Sequence, residues 1–473
     1  MTNDHDRLAR QRHVFTDTRR EETVLAIVGA YANPHATRAL LAGAAPMGVP
    51  RVASDCSGRR SSHWFFGDYQ GMVETLFPGI RYDALDPDAP GRDIESAFGG
   101  ASNACCCAVA NDVGSAGAAI EDVMRTNLRT PVYLMLTTAA GLLVLHAGAA
   151  KALDLLGQLP VSFVHPGPME FGFIAAGLVL QEIIQGQAVH QGMDPTSVRT
   201  VGFYSLRRQR RVTMDPGESP AALWAEVSAP PPDGTRPAFT GHRLVMIGAG
   251  ALGNWSAIPL VAEGAASLAI YDGDLVVEPH NLNRQVFLVN WVGVAPKAKA
   301  LASELAAVHP SCRCSPFVRR VESPSDLEGL SAASALVCVP DNDGARAVGC
   351  DAAVAAGIPY ATAGSSALGG QAIVCRPGHA CYRCVVGAAA ASAGVREEEE
   401  PNAPASCRLA ANDAVVSSNM VAAGLMLSEL REALAGRPTA NVRFVPDARS
   451  RNQLVKMISN PACPHAEAAQ QVA

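Results

Sequence analysis

The chain is poor in charge and in aromatic rings: of 473 residues, 17% are charged and 5% aromatic, against 48% that are apolar. Its formal net charge is -6 and no basic stripe is present, which argues against nucleic acid as a partner. It lacks a basic start followed by an apolar stretch, the mark of a secretory leader. It also lacks any apolar run near the roughly 20 residues that a membrane helix needs, because Gly, Pro or charge intervenes each time. The expectation is a soluble, cytosolic protein with no membrane partner. Its 13 cysteines are then expected to be packing groups, metal ligands or nucleophiles rather than disulfides.

What is present is a long, Ala- and Gly-rich chain that can bury large cores. At roughly 100–200 residues per domain, two to four domains are allowed. Residues 229–240, rich in Pro and polar side chains, read as a linker. They separate an expected front domain, 1–228, from a rear domain, 241–473.

The two halves resemble each other. Val24 to Val28 is an apolar run closed by Gly29 and followed by a helical pattern, as Leu244 to Ile247 is closed by Gly248. The segment Cys105 to Val123 resembles Leu336 to Val354, and each continues into an apolar strand. Phe173 to Ile183 matches Met420 to Leu430. Three matches in one order point to an internal duplication. In this alignment Ala110 faces Asp341, and Gly29 has no companion glycines, so the front copy reads as a degenerate form of the fold. Cys105, Cys106 and Cys107 sit in an apolar run and read as small buried hydrophobes.

The rear half carries a denser set of polar residues. Gly248-x-Gly250-x-x-Gly253 between a strand and a helix lets a backbone approach phosphate, and the helix start offers free N–H groups. Asp272, about 20 residues further at the end of a second strand, is placed for a ribose hydroxyl. These residues alone also fit an NAD-dependent oxidoreductase. The following run contains Asn281, Arg284 and Gln285, then Lys297, and Asp341 ends the strand from Ala335 to Val339. A dehydrogenase has no need of that Arg and Lys, whereas a triphosphate attacked at its α-phosphate does. Asp341 is suited to Mg²⁺.

Cys381-x-x-Cys384 has the spacing of two positions in a tetrahedral zinc site. Residues 388–411 contain four consecutive glutamates, two prolines and many small side chains, and read as a mobile loop. That loop carries Cys407 beside Arg408, a setting in which a thiol can act as a nucleophile.

The strings DGDLVVEPHNLNRQVF, GVAPKAKAL, PDND and CYRC together resemble the ThiF/MoeB and ubiquitin-activating enzyme superfamily over most of residues 241–465. The resemblance implies an α/β chain of two Rossmann-like, ThiF-type adenylation domains in tandem, the first degenerate and the second with its nucleotide site intact. It implies ATP, Mg²⁺ and a structural Zn²⁺. By position it gives the phosphate cradle to Gly248, Gly250 and Gly253, ribose to Asp272, phosphate and the transition state to Asn281, Arg284, Gln285 and Lys297, and Mg²⁺ to Asp341. It makes Cys407 the residue that takes the activated acyl group. The family's second CxxC is replaced by Cys463-Pro-His465, so Cys463 and His465 are the favoured partners of Cys381 and Cys384, a three-ligand site or a degenerate one being the alternatives. Arg10-Gln11 resembles the family's opening motif, which implies that Arg10 serves the active half from the inactive one. One departure is a spacing between Asp274 and Asn281 one residue longer than the family pattern, read as a bulge.

The resemblance implies a substrate that is a ubiquitin-like β-grasp protein with a C-terminal glycine, and a conjugating enzyme as acceptor. The tandem layout looks closest to the activating enzymes of bacterial ubiquitin-like conjugation systems. A sulfur-carrier adenylyltransferase of the thiamin or molybdopterin type, or a peptide-modifying relative, is the alternative within enzymes. A non-catalytic scaffold fits only the front half.

Overall fold

The computed structural model describes residues 23–55, 63–88, 90–99, 101, 103–126, 131–160, 167–187, 198–205, 210–212, 219–228, 239–366, 369–386, 415–445 and 453–457. They fall into two compact units, one built on Phe15–Arg236 and the other on Pro237–Phe444.

The front unit contains β1 (Thr23–Val28), β2 (Arg51–Ser54), β3 (Arg81–Ala84), β4 (Asn103–Ala110), β5 (Pro131–Thr137), β6 (Gly141–Gly148), β7 (Val198–Ser205) and β8 (Arg210–Val212). Their order across the sheet is β3-β2-β1-β4-β5-β6-β7-β8. The five strands from β3 to β5 are parallel, and the remaining pairs are antiparallel. Parallel strands covered on both faces favour unbroken apolar runs. Residues Cys105 to Ala110 of β4 follow that rule: all are buried, the three cysteines as small packing groups.

The rear unit repeats the plan. Its strands are β9 (Arg243–Ile247), β10 (Ser267–Tyr271), β11 (Arg313–Phe317), β12 (Ala335–Cys338), β13 (Tyr360–Ser365), β14 (Gly370–Cys375), β15 (Asn441–Val445) and β16 (Gln453–Met457). They are ordered β11-β10-β9-β12-β13-β14-β15-β16, strand for strand as in the front unit. The matched segments Phe173 to Ile183 and Met420 to Leu430 lie in two helices of the same length, Met169–Gln187 and Val416–Leu434. Two Rossmann-like sheets thus stand in tandem in one chain.

Strand pairing corrects two sequence readings. The apolar stretches after the matched helices are not single strands. Each folds back as an antiparallel pair, β5 on β6 and β13 on β14; Thr138–Ala140 joins the first pair, and the Ser366 amide donates to the Gly369 carbonyl where the second pair closes. The second correction concerns the alignment of the copies. Val28, just before Gly29, pairs with Ala108, and Ile247, just before Gly248, pairs with Cys338. Counting on from those pairs sets Asn111, not Ala110, opposite Asp341. It also matches Asp112 with Asn342, and both are helix N-caps.

Among the described residues, no helix is long and apolar enough to cross a membrane.

Candidate functional site

In the rear unit the order β10-β9-β12 makes a topological switch point, with β10 on one side of β9 and β12 on the other. Ligands of open α/β sheets bind outside the carboxyl ends of strands at such a point. Here the carboxyl end of β9 leads into Gly248, that of β10 into Asp272, and that of β12 into Val339, Pro340 and Asp341.

Each glycine of the turn has its own constraint. Gly248 has φ +98°, and a Cβ there would meet the Val339 carbonyl oxygen at 2.8 Å, so the turn lies directly against the strand end that carries Asp341. A Cβ on Gly253 would collide with the Gly248 carbonyl oxygen. Gly250 differs, because a Cβ there would meet nothing within 4 Å. The protein itself does not need Gly250 bare; a ligand approaching the backbone would.

Gly250 is also the N-cap of the helix Ala251–Ala262, and no side chain caps that helix. Its first amides and positive dipole end are open to an anion. The front unit is built differently at the same point. Asn33 caps the helix Pro34–Ala44 by accepting from the Ala36 amide, and its Nδ2 donates to Thr137 Oγ1 at 2.6 Å. Tyr69 Oη donates to the Ala30 carbonyl at 3.2 Å, and Asn111 Nδ2 donates to the Ala32 carbonyl. The front turn is filled by its own side chains where the rear turn is open.

Asp272 accepts from the Ala249 amide through Oδ2 at 2.7 Å and from the Asp274 amide through Oδ1 at 2.9 Å. Burial pushes its carboxyl above the usual range, opposed by those two amides and by Lys297. Lys297 opens the helix Lys297–Val308 and is itself nearly buried; its Nζ lies 2.6 Å from Asp274 Oδ2. The Lys297 amide also donates to the Asp274 carbonyl, so two contacts fix the lysine near Asp272.

The run from Asn281 to Gln285 is buried although every second residue or more is polar. The stretch between Asp274 and Asn281 that precedes it ends in a 3₁₀ turn, Pro279–Asn281. Gln285 Nε2 donates to Asn281 Oδ1 at 3.2 Å. The Arg284 carbonyl accepts from Trp255 Nε1 at 3.1 Å. Asn254 ties the segment to the glycine turn: its Nδ2 donates to the Ala249 and Gly250 carbonyls at 2.9 Å each, and its Oδ1 accepts from the Phe287 amide at 3.1 Å. Asn283 is fully buried, and both polar atoms of its amide lack a hydrogen-bond partner. Buried polar atoms of this kind are uncommon and often belong to binding sites. Sequence reasoning missed Asn254 and Asn283. The signal for Asn283 was a polar side chain between two assigned ones; Asn254 gave none, since it sits inside an otherwise apolar helix.

The structure therefore gathers Gly248, Gly250, Gly253, Asp272, Asn281, Arg284, Gln285, Lys297 and Asp341 around the switch point, Asp341 with its side chain exposed. The residues present fit a nucleotide polyphosphate: a glycine whose missing Cβ leaves open space, an uncapped helix start, a carboxylate at ribose distance along the chain, and two cations.

Cys381 and Cys384 have their sulfurs 3.7 Å apart. Two thiolates about 2.3 Å from one tetrahedral zinc are separated by about 3.8 Å, so the pair fits two zinc positions. Among the described residues, no group of three or more His, Cys, Asp or Glu could hold a metal ion. Cys463 and His465, proposed as the other ligands, lie outside the described residues, as do Arg10 and Cys407.

Residues 232–467 match the ThiF family. The chain is 32% identical over 143 residues to the "SAMP-activating enzyme E1" of Haloferax volcanii, covering 30% of this chain and 53% of that protein. It is 34% identical over 149 residues to the "Sulfur carrier protein ThiS adenylyltransferase" of Bacillus subtilis, covering 31% and 44%. Among solved structures, E. coli MccB with MccA-N7isoASN aligns over 48% of this chain and 67% of that one, at 19% identity and a TM-score of 0.39. The chain thus spans about half or less of the curated relatives it matches. Through residues 232–467, the chain belongs to the ThiF family, within the ThiF/MoeB and ubiquitin-activating enzyme superfamily.

Proposed function

We propose that the rear unit adenylates the C-terminal carboxylate of a small ubiquitin-like or sulfur-carrier protein. The observation that carries this reading is the uncapped glycine turn, with open space at Gly250, beside Asp272 and Lys297 at the carboxyl ends of β9, β10 and β12. ThiF-type relatives named for such activities, on ThiS and on SAMP, support it.

A carboxylate is a poor electrophile, and joining it to AMP gives it a good leaving group. Asp272 accepts the ribose hydroxyls. The amides at the start of the helix Ala251–Ala262 hold phosphate oxygens. Arg284 and Lys297 face the negative charge that grows at the α-phosphorus as the carboxylate oxygen attacks and pyrophosphate departs. Asp341 would hold Mg²⁺, which supplies further charge neutralisation when bound. Little acid–base chemistry is needed, because positioning and charge stabilisation carry the step.

The finer reading is activation of a ubiquitin-like protein for conjugation. In it the Cys407 thiolate attacks the acyl carbon, AMP leaves, and the thioester passes to a conjugating enzyme. The front unit is then an inactive partner. Its capped turn and the Asn111 that stands in place of Asp341 favour this, and Arg10 is the residue it would lend. Cys381 and Cys384, with Cys463 and His465, would hold a structural zinc. The test is a non-reducing gel after incubation with ATP, Mg²⁺ and a glycine-terminated β-grasp protein. A thiol-sensitive adduct lost in Cys407→Ala, with adenylation retained, is the expected result. Adenylation with no adduct would reduce the function to carboxylate activation of the sulfur-carrier type.

A further inference from the structure

The two residues between Cys381 and Cys384 reach back onto the helix Asp343–Ala355, which begins two residues after Asp341. Tyr382 Oη donates to Asp343 Oδ1 at 2.9 Å. Arg383 makes a two-pronged contact with Asp351 one helical stretch further on, Nε to Oδ1 at 3.0 Å and Nη2 to Oδ2 at 2.8 Å. The cysteine turn therefore grips the same helix at its first turn and at its middle.

The first of these grips continues toward the nucleotide site. Asp343 Oδ1 also accepts from Arg346 Nη1 at 2.9 Å. Arg346 Nη2 donates to the Pro340 carbonyl at 2.9 Å and to the Ala363 carbonyl at 3.3 Å. Tyr360 Oη in turn donates to the Arg346 carbonyl at 2.8 Å. The Pro340 carbonyl belongs to the peptide that enters Asp341. Asn342 follows, with Oδ1 accepting from the Ala345 amide at 2.7 Å. Asp341 itself is exposed and lies between these two held points of the backbone.

We propose that Tyr382 and Arg346 are positioning residues that aim Asp341, so that the Cys381–Cys384 turn governs how tightly the cation-bound nucleotide is held. The proposal rests on the reading of Asp341 as the Mg²⁺-holding carboxylate. Partners beyond a metal's own ligands commonly set affinity in this way, because small errors in ligand direction are costly.

The test uses the full chain and the variants Tyr382→Phe, Arg346→Lys and Asp341→Asn. Amide hydrogen exchange is followed across Pro340–Ala345, and ATP binding is titrated with and without Mg²⁺. Loss of one hydrogen bond should raise exchange in that segment, and the Mg²⁺ concentration needed for half-saturation, by about fivefold in Tyr382→Phe. ATP affinity without Mg²⁺ should stay within about twofold and the melting temperature within about 4 °C. Arg346→Lys should behave alike, because a point charge cannot span both Asp343 and the Pro340 carbonyl. Unchanged exchange across Pro340–Ala345, or an equal loss of binding with and without Mg²⁺, would overturn the proposal and leave Tyr382 a structural clamp. If Asp341→Asn binds Mg²⁺-ATP as the wild type does, the reading of Asp341 fails instead; the exchange measurement still tests the relay to its backbone.

Discussion

Lys297 Nζ lies 2.6 Å from Asp274 Oδ2, with the lysine side chain 10% exposed and the aspartate 53%. A nearly buried cation is thus held by a carboxylate that faces solvent. Such a half-exposed pair contributes little to stability, about 0–1 kcal/mol. The proposed function gives the pair another use, to keep an ammonium group near Asp272 for a phosphate. Lys297→Ala should leave the melting temperature nearly unchanged. It should weaken ATP binding about tenfold or more, the loss expected for one charge-assisted hydrogen bond. Isothermal titration with ATP checks this. Equal affinities in the two proteins would remove Lys297 from the site.

The glycines of the turn separate folding from binding. A methyl group on Gly250 meets no protein atom, whereas one on Gly253 collides with the Gly248 carbonyl. Gly250→Ala should therefore fold normally and lose nucleotide affinity. Gly253→Ala should lower the melting temperature, by several degrees for about 1–3 kcal/mol of overpacking. Thermal melts with and without ATP distinguish them. A destabilised Gly250→Ala that binds ATP normally would contradict the phosphate cradle.

Asp272 gives a pH signature. Burial raises its carboxyl above the ordinary aspartate range, and hydroxyls donate more strongly to the ionised form than to the protonated one. Bound nucleotide favours ionisation, so binding releases a proton wherever free Asp272 is protonated. Affinity should fall as pH falls into that raised range, at higher pH than for an ordinary aspartate. The same shift has the opposite sign for folding: the folded state binds the extra proton, so stability falls as pH rises through the window between the unfolded and folded values. Asp272→Asn should weaken ATP binding at neutral pH and flatten its dependence on acid. An unaltered acid limb in that variant would assign the titration elsewhere.

Much of the rear site was legible because it is local. Gly248, Gly250 and Gly253 follow a continuous apolar strand, and Asp272 and Asp341 end two others. Parallel strands buried on both faces cannot hide in a sequence. The frame of the duplication was less legible. Ala-rich segments align almost equally well one residue apart, and only the pairing of Val28 with Ala108 and Ile247 with Cys338 decides for Asn111 over Ala110. The hairpins of β5 with β6 and β13 with β14 were hidden because each pair reads in sequence as one continuous apolar stretch. Contacts distant in sequence gave no signal at all: Asn254 with Phe287, and Tyr382 with Asp343, emerge only when helices and turns pack. Arg10, Cys463 and His465 came from family resemblance and Cys407 from its loop setting together with that resemblance; all four lie outside the described residues.

The central claim is adenylation of a carboxylate by the rear unit, and exchange of labelled pyrophosphate into ATP tests it most directly. With Mg²⁺ and a β-grasp protein ending in glycine, the account predicts exchange that requires the carrier's terminal carboxylate and is lost in Arg284→Ala. No exchange with any glycine-terminated carrier, together with tight binding of NAD at the same glycine turn, would contradict it.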